Sequence, residues 1–206
     1  MKTNITQIAI GKSKEYGEKD NTFLSSYKKD EYYQFCQVDD LGLQGDTQTD
    51  KRYHGGIDKA IHFGSNLHFD RHPLEPLSIG CNILINDFDE SDICVGDIYS
   101  FGDVQVQVSQ PRQPCWKIGA LFGKDTSRYI AKNNAGGWYV RILQEGILEV
   151  NDEMVLEKSF STITIKELSY YLHILPEQKI IDEILSLDFV AQSYKDDLKR
   201  LVAKNT

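Results

Sequence analysis

The octapeptide Gln110-Pro111-Arg112-Gln113-Pro114-Cys115-Trp116-Lys117 sets one cysteine beside an arginine, a lysine and an indole, with two prolines just ahead of it. Each proline fixes its own φ and pushes the preceding residue toward an extended conformation. Gln110 and Gln113 are therefore expected to be extended, in a loop stiff enough to aim a sulfur. Cationic neighbours favour thiolate over thiol, and the thiolate is the form that attacks electrophiles, binds soft metals or carries a second sulfur. The competing reading of the same residues is a small apolar side chain buried under a proline-rich turn.

A second chemical stretch lies upstream, Gly45-Asp46-Thr47-Gln48-Thr49-Asp50-Lys51-Arg52-Tyr53-His54-Gly55-Gly56-Ile57-Asp58-Lys59-Ala60. Two glycines after His54 free the backbone for conformations closed to other residues and let a ligand approach closely. His54 is then able to donate to an oxyanion or shuttle a proton near neutral pH. Taken in order, G-D-x-Q-x-D, H-G-G-x-D-K-A, S-Q-P-R-x-P-C and Gly137-Trp138-Tyr139-Val140-Arg141 resemble the MOSC domain, the module also found at the C-terminus of molybdenum-cofactor sulfurases. The pattern is most similar to the stand-alone bacterial, YiiM-like branch, and it covers most of residues 40 to 150. One motif departs. Where that branch commonly has G-E-N, this chain has Gly80-Cys81-Asn82, so Cys81 is read as a buried small residue, with a second thiol near Cys115 as the alternative. The family's T/S-G-I-x-K element is blurred to Ser25-Ser26-Tyr27-Lys28-Lys29, and neither lysine carries much weight as a site residue.

The resemblance implies a β-barrel that holds molybdenum cofactor (molybdopterin), with Cys115 as the metal ligand and catalytic residue and His54 beside it in the pocket. It further implies reduction of N-hydroxylated bases or related N-oxygenated compounds. A small-molecule substrate and an electron-donor protein would be the partners. Arg112 offers a planar fork for phosphate or carboxylate, and Lys59 and Arg141 offer further charge for the same anion. Trp116 and Trp138 are able to stack on a flat heterocycle, although Trp138 also reads as a core aromatic closing the barrel. Asn82 is a candidate hydrogen-bonding group for the same ligand. Asp46, Gln48, Asp50 and Asp58 are expected to organise the loop, since carboxylates repel a bound anion. Two other functions fit the motifs: a carrier of persulfide or cofactor on Cys115, and a plain small-anion binding module. Autonomous cofactor sulfuration is the least expected reading, because sulfurases pair this module with a large pyridoxal-phosphate domain and 206 residues leave no room for one.

A net charge of −8 argues against a broad footprint on nucleic acid or anionic lipid and leaves room only for a local basic pocket. The N-terminal stretch lacks the apolar run of a signal peptide and no later segment is long enough to span a bilayer, so a cytoplasmic protein is expected. Cys36, Cys81, Cys94 and Cys115 form no C-x-x-C pair and are expected as free thiols. His62, His68 and His72 lie around Pro73 in a polar connection, expected to be solvated rather than metal-binding.

The elements that must position these groups read as mainly β. Val104, Val106 and Val108 alternate with polar residues, and Gly102-Asp103 suits a tight turn back to residues 98 to 101, making a hairpin. Short strands are expected at 83–85, 139–143 and 147–150, together with one or two short helices between Trp116 and Asn133. The whole is expected to be a MOSC-type β-barrel over residues 1–160, followed by a three-helix bundle over 161–206. Thr164-Ile165-Lys166-Glu167 reads as a capping box, Pro176 as a first-turn proline, and Val190, Ala191, Tyr194, Leu198, Leu201 and Val202 as an apolar stripe.

Overall fold

Period two is obeyed most fully by the strand that leads to Cys115. In the computed structural model, which describes residues 2–18, 21–49, 55–71 and 80–205, this strand is Val104–Pro111. Val104, Val106 and Val108 are buried, and Gln105 and Gln107 only partly so. In chain order the strands are β1 (Thr3–Ile10), β2 (Lys14–Tyr16), β3 (Phe23–Ser25), β4 (Glu31–Tyr33), β5 (Phe35–Asp39), β6 (Gly42–Leu43), β7 (Ile61–Ser65), β8 (Ile83–Ile85), β9 (Ile98–Phe101), β10 (Val104–Pro111), β11 (Trp138–Gln144), β12 (Gly146–Glu149) and β13 (Glu153–Lys158). The helices are α1 (Leu67–Arg71), α2 (Trp116–Phe122), α3 (Lys124–Asn133), α4 (Ile165–Tyr171), α5 (Gln178–Ser186) and α6 (Gln192–Asn205).

Seven strands close a barrel in the order β13-β9-β10-β11-β7-β8-β1, and pairing of β1 with β13 completes the ring. Closure removes the unpaired edges that an open sheet would expose. The pairs are antiparallel except β7 with β8, which run parallel. The expected hairpin is present, with Val104 opposite Phe101 and Gly102 at φ +56 in the turn. Ile5, Ile8, Phe63, Ile83, Phe101, Val108 and Trp138 are among the side chains filling the interior. β5, β6 and β12 form a small second sheet, and β2 and β3 form a hairpin of their own.

The fold is mainly β, with short helices between β10 and β11 and a helical C-terminal region, as the sequence implies. The capping box at α4 is complete: Thr164 Oγ1 accepts from the Glu167 amide at 3.1 Å, and Glu167 accepts from the Thr164 amide at 2.8 Å. Pro176 is displaced from its expected place. The second C-terminal helix begins at Gln178 with Glu177 as N-cap, so the proline precedes the cap instead of occupying the first turn. The apolar stripe of the third also starts early, because Val190 and Ala191 are buried ahead of the helix proper.

These helices share one continuous core with the barrel, through Ile165, Leu168, Ile181, Ile184, Tyr194 and Leu198. They also grip the strand and loop that carry the cysteine. The Ala191 amide donates to Ser109 O at 3.1 Å, Ser193 Oγ to Gln110 Oε1 at 2.6 Å, and Gln113 Nε2 to Ser169 Oγ at 3.3 Å. Among the described residues no helix is long and apolar enough to cross a membrane.

Candidate functional site

Where β10 ends, Arg112 turns inward. Its backbone amide donates to Gly137 O at 3.0 Å, which pins it to the turn before β11. That turn requires glycine, because Gly137 has φ +77 and a Cβ there would collide with the Phe63 carbonyl. The Arg112 side chain is only 3% exposed. Its guanidinium lies 4.8 Å from the centre of the Tyr27 ring and bonds to the hydroxyls of Tyr27 and Tyr139. Among the described residues its Nε and Nη1 find no hydrogen-bond partner. Leaving a buried donor unmade costs roughly 1–3 kcal/mol, and more for a charged group. An arginine cannot shed its proton to escape that cost. Two unpaired donors on one buried fork therefore mark a place prepared for an acceptor.

The cavity beside this fork is lined in part by Tyr27, Lys29, Lys59, His62, Lys117 and Tyr139, and has a volume of about 60 Å³. That is room for an oxyanion of phosphate size or a few waters. Lys29 is buried and contacts both carboxylate oxygens of Asp46 at 2.7 Å. Burial lowers its pKa and the Asp46 charge opposes that shift. Asp46 also accepts from the Gly11 amide at 2.8 Å, so this carboxylate organises the loop, as expected of it. Lys59 is half-buried, with its pKa lowered by burial against the pull of Asp197 and Asp58. The described cations of the wall outnumber its one carboxylate, giving a local basic pocket on an acidic protein.

His62 corrects an expectation. It is buried within β7 rather than solvated, because the polar connection begins only after that strand. Its Nε2 lies 2.8 Å from Gly136 O and its Nδ1 3.2 Å from Gly80 O. Burial, reinforced by the Arg112 charge, pushes its pKa down to about 3 and keeps the ring neutral. A neutral ring donates once, and the shorter contact assigns that proton to Nε2. His68 is likewise buried: its Nε2 is 2.6 Å from Glu90 Oε2, while Glu90 Oε1 accepts from the Gly137 amide at 2.7 Å. Glu90 thus clamps the glycine turn against which Arg112 is set. His54 and His72 lie outside the described residues.

Cys115 is the N-cap residue of α2, half-buried, with extended backbone and no capping bond from its side chain. Its side chain lies within electrostatic reach of Arg112, Tyr27 and Tyr139. It packs against a satellite apolar cluster that includes Tyr27, Cys81 and Ile118. Cys81 is 2% exposed, and burial pushes its thiol up to about 12. That matches the buried small residue expected at this position and gives it little thiolate character.

The other candidates divide. Arg112, Lys59 and Asn82 line the pocket. The Asn82 amide is already engaged, accepting from the His62 amide at 3.2 Å and donating to Ala9 O at 3.2 Å, so it staples β1 to β7. Arg141 does not converge with them. It forks onto Asp58 at 2.7 and 3.0 Å and donates to Gln107 Oε1 at 2.9 Å, all on the outer side of the ladder. Trp138 is 1% exposed and stacks on Phe63 in the barrel core, so its indole faces no ligand. Trp116 is 65% exposed and faces a separate cleft. Tyr27, Lys29, His62, Lys117 and Tyr139 also line the pocket and were not among the ligand-binding candidates of the sequence. Lys117 and Tyr139 stand inside motifs already quoted, and Tyr27 and Lys29 inside the blurred N-terminal one, while His62 had no such signal.

Comparison with known proteins fits this geometry. The MOSC domain profile matches residues 50–155. The uncharacterized protein YflK of Bacillus subtilis (strain 168) is 31% identical over 164 residues, covering 74% of this chain and 73% of YflK. A protein of Gibberella moniliformis (strain M3125 / FGSC 7600) named Reductase is 31% identical over 134 residues, which is 59% of this chain and 23% of that longer one. The crystal structure of YiiM from Geobacillus stearothermophilus superposes with a TM-score of 0.77 at 26% identity, covering 96% of this chain and 98% of that one. A family match across half the chain, a relative matched along most of its length and a shared whole-chain fold lead to one conclusion: this chain belongs to the MOSC domain family, in its YiiM-like branch.

Proposed function

We propose that the chain binds molybdenum cofactor at the Arg112 pocket, with Cys115 as the protein ligand to the metal, and reduces N-hydroxylated bases or related N-oxygenated compounds. The observation that carries this reading is the pair of unpaired donors on the buried Arg112 fork, set in a cationic pocket beside a half-buried thiol. The donor set suits the group: a planar guanidinium and lysines for its phosphate, and a soft sulfur for its metal. When bound, the cofactor supplies the two-electron redox chemistry.

The chain's own residues bind and orient. Arg112 receives the anion, held at its backbone by Gly137 and under its plane by Tyr27. Lys29 stays fixed by Asp46 and adds charge without wandering. Neutral His62 donates through Nε2 to the Gly136 carbonyl and so braces the turn before β11. Reduction of the N–OH group to an amine consumes two electrons and two protons and releases water. The relative named Reductase supports a reducing role, and an electron-donor protein would supply the electrons.

The test is the molybdenum and pterin content of the wild-type protein and of Cys115→Ser, both purified from a host that makes the cofactor. Near-stoichiometric metal that disappears in the serine variant, along with reduction of an N-hydroxylated purine, is the expected result. Equal metal content in both proteins, or none in either while both remain folded, refutes the assignment.

A further inference from the structure

Trp116 follows Cys115 directly, yet its indole does not enter the anion pocket. It stands 65% exposed at the wall of a second cleft, of about 730 Å³, between α2 and the β2–β3 hairpin. That volume falls within the roughly 300–1,000 Å³ typical of small-molecule sites. The cleft is lined with aromatic surface. Phe23 meets Trp116 edge-on with ring centres 4.8 Å apart, and Tyr16 lies 6.0 Å from Phe23. The Lys28 ammonium sits over two rings, 5.7 Å from the centre of Tyr16 and 5.2 Å from that of Phe122. Among the described residues that ammonium has no hydrogen-bonded partner.

Two features join this cleft to the anion pocket. The hairpin lines the cleft with Tyr16 and Phe23 and, through Ser25, the pocket as well. Lys117, a pocket residue, lies 5.9 Å from the centre of the Phe23 ring and donates to Leu24 O at 2.9 Å. At 65% exposure the indole keeps surface open for stacking, and its contact with Phe23 at an interplanar angle of 65° fixes its tilt. A cation poised among rings gains when a ligand brings an acceptor edge to it.

We propose that this cleft is a second binding subsite, for a fused nitrogen heterocycle that stacks on Trp116 and turns an acceptor edge toward Lys28. It would hold the aromatic part of a ligand while the Arg112 pocket holds an anion. The heterocycle has two possible sources, the base of a substrate or the pterin of the cofactor. The second of these rests on the function proposed above. The stacking subsite itself does not.

Equilibrium dialysis of adenine against the full-length, cofactor-free protein tests it. Stacking on an aromatic side chain is lost in an alanine variant, so Trp116→Ala should weaken adenine binding roughly 10- to 100-fold, while Trp116→Phe stays near wild type. Lys28→Met should weaken it less. Binding of inorganic phosphate should be unchanged in Trp116→Ala, since that residue lies outside the anion pocket. Repeating the measurement on cofactor-loaded protein separates the sources: adenine binding that survives loading makes the cleft a substrate subsite, and binding abolished by loading assigns it to the pterin. If the protein takes up no cofactor, the molybdenum reading fails and the subsite stands on the cofactor-free data. Absence of adenine binding, or equal binding by wild type and Trp116→Ala, overturns the proposal.

Discussion

Replacing Arg112 with methionine should leave the ligand-free protein about as stable as wild type, or more so, while abolishing its response to phosphate. The side chain is 3% exposed and carries two buried donors, Nε and Nη1, that find no partner among the described residues. Each unmet donor costs roughly 1–3 kcal/mol, so removing both recovers about 2–6 kcal/mol. Against this stand the loss of the cation–π contact with Tyr27, about 0.5–2 kcal/mol, and of the bonds to two tyrosine hydroxyls. The terms nearly cancel in the empty protein and diverge when an anion is added. Wild type at 100 times its Kd for phosphate gains about 2.7 kcal/mol, an increase in Tm of roughly 5–11 °C for a chain of this size. The methionine variant should show no shift. Arg112→Lys keeps the charge but loses at least one of two charge-assisted bonds, about 1.5–3 kcal/mol, so its phosphate affinity should fall roughly 10- to 150-fold. Thermal unfolding with and without phosphate reads all three proteins. A ligand-free Tm more than about 10 °C below wild type for Arg112→Met would show that the donors are satisfied after all, and phosphate stabilisation equal to wild type would remove the fork from the site.

Acid should act through His62. Its folded pKa of about 3 lies below the ordinary value of 6.5, so its contribution is fully present above pH 6.5 and is lost as pH falls toward 3. His62→Gln should flatten the decline in the urea midpoint between pH 7 and pH 4, and an unchanged slope counts against the buried neutral ring. Iodoacetamide at neutral pH should modify Cys115 well before Cys81, whose thiol burial pushes up to about 12; peptide mapping that finds Cys81 alkylated at a similar rate contradicts the packing. Glu90→Ala leaves His68 and the Gly137 amide unpaired in the interior and should cost about 3–5 kcal/mol by urea denaturation. Adding His68→Leu should recover part of that loss, and strictly additive losses would show that the pair is not coupled.

The β10 hairpin, the short strands around it, the two helices after Cys115 and the α4 capping box were legible because each is set by local chemistry. Period two, a glycine turn and a reciprocal cap need no distant partner. β1 was not legible. Its buried Ile5 and Ile8 are three residues apart, which violates period two, and the reason is a register shift between Ile5 and Gln7 against β8. β13 was hidden for another reason: Val155, Leu156, Glu157 and Lys158 all face solvent and leave no alternation. In the site, the thiol, Arg112 and Lys59 were legible through motif chemistry. Lys29, His62 and the two tyrosines were not, because they converge from β7, β11 and the segment after β3 only once the barrel is closed. Arg141 shows the converse: a cation inside a motif is spent on Asp58, a partner far away in sequence.

The joint between β1 and β13 also bears on how the chain acquires its fold. Thr3 pairs with Met154 and Asn4 with Glu153, so the barrel seam unites residues separated by most of the chain. A seam of such long sequence separation is paid for in loop entropy before any contact rewards it, which slows folding. During synthesis β1 must wait, able to pair with β4 and later β8, until the segment beyond residue 154 has left the ribosome. The loop that carries Cys115, at the end of β10, is made well before that moment, while the barrel is still open.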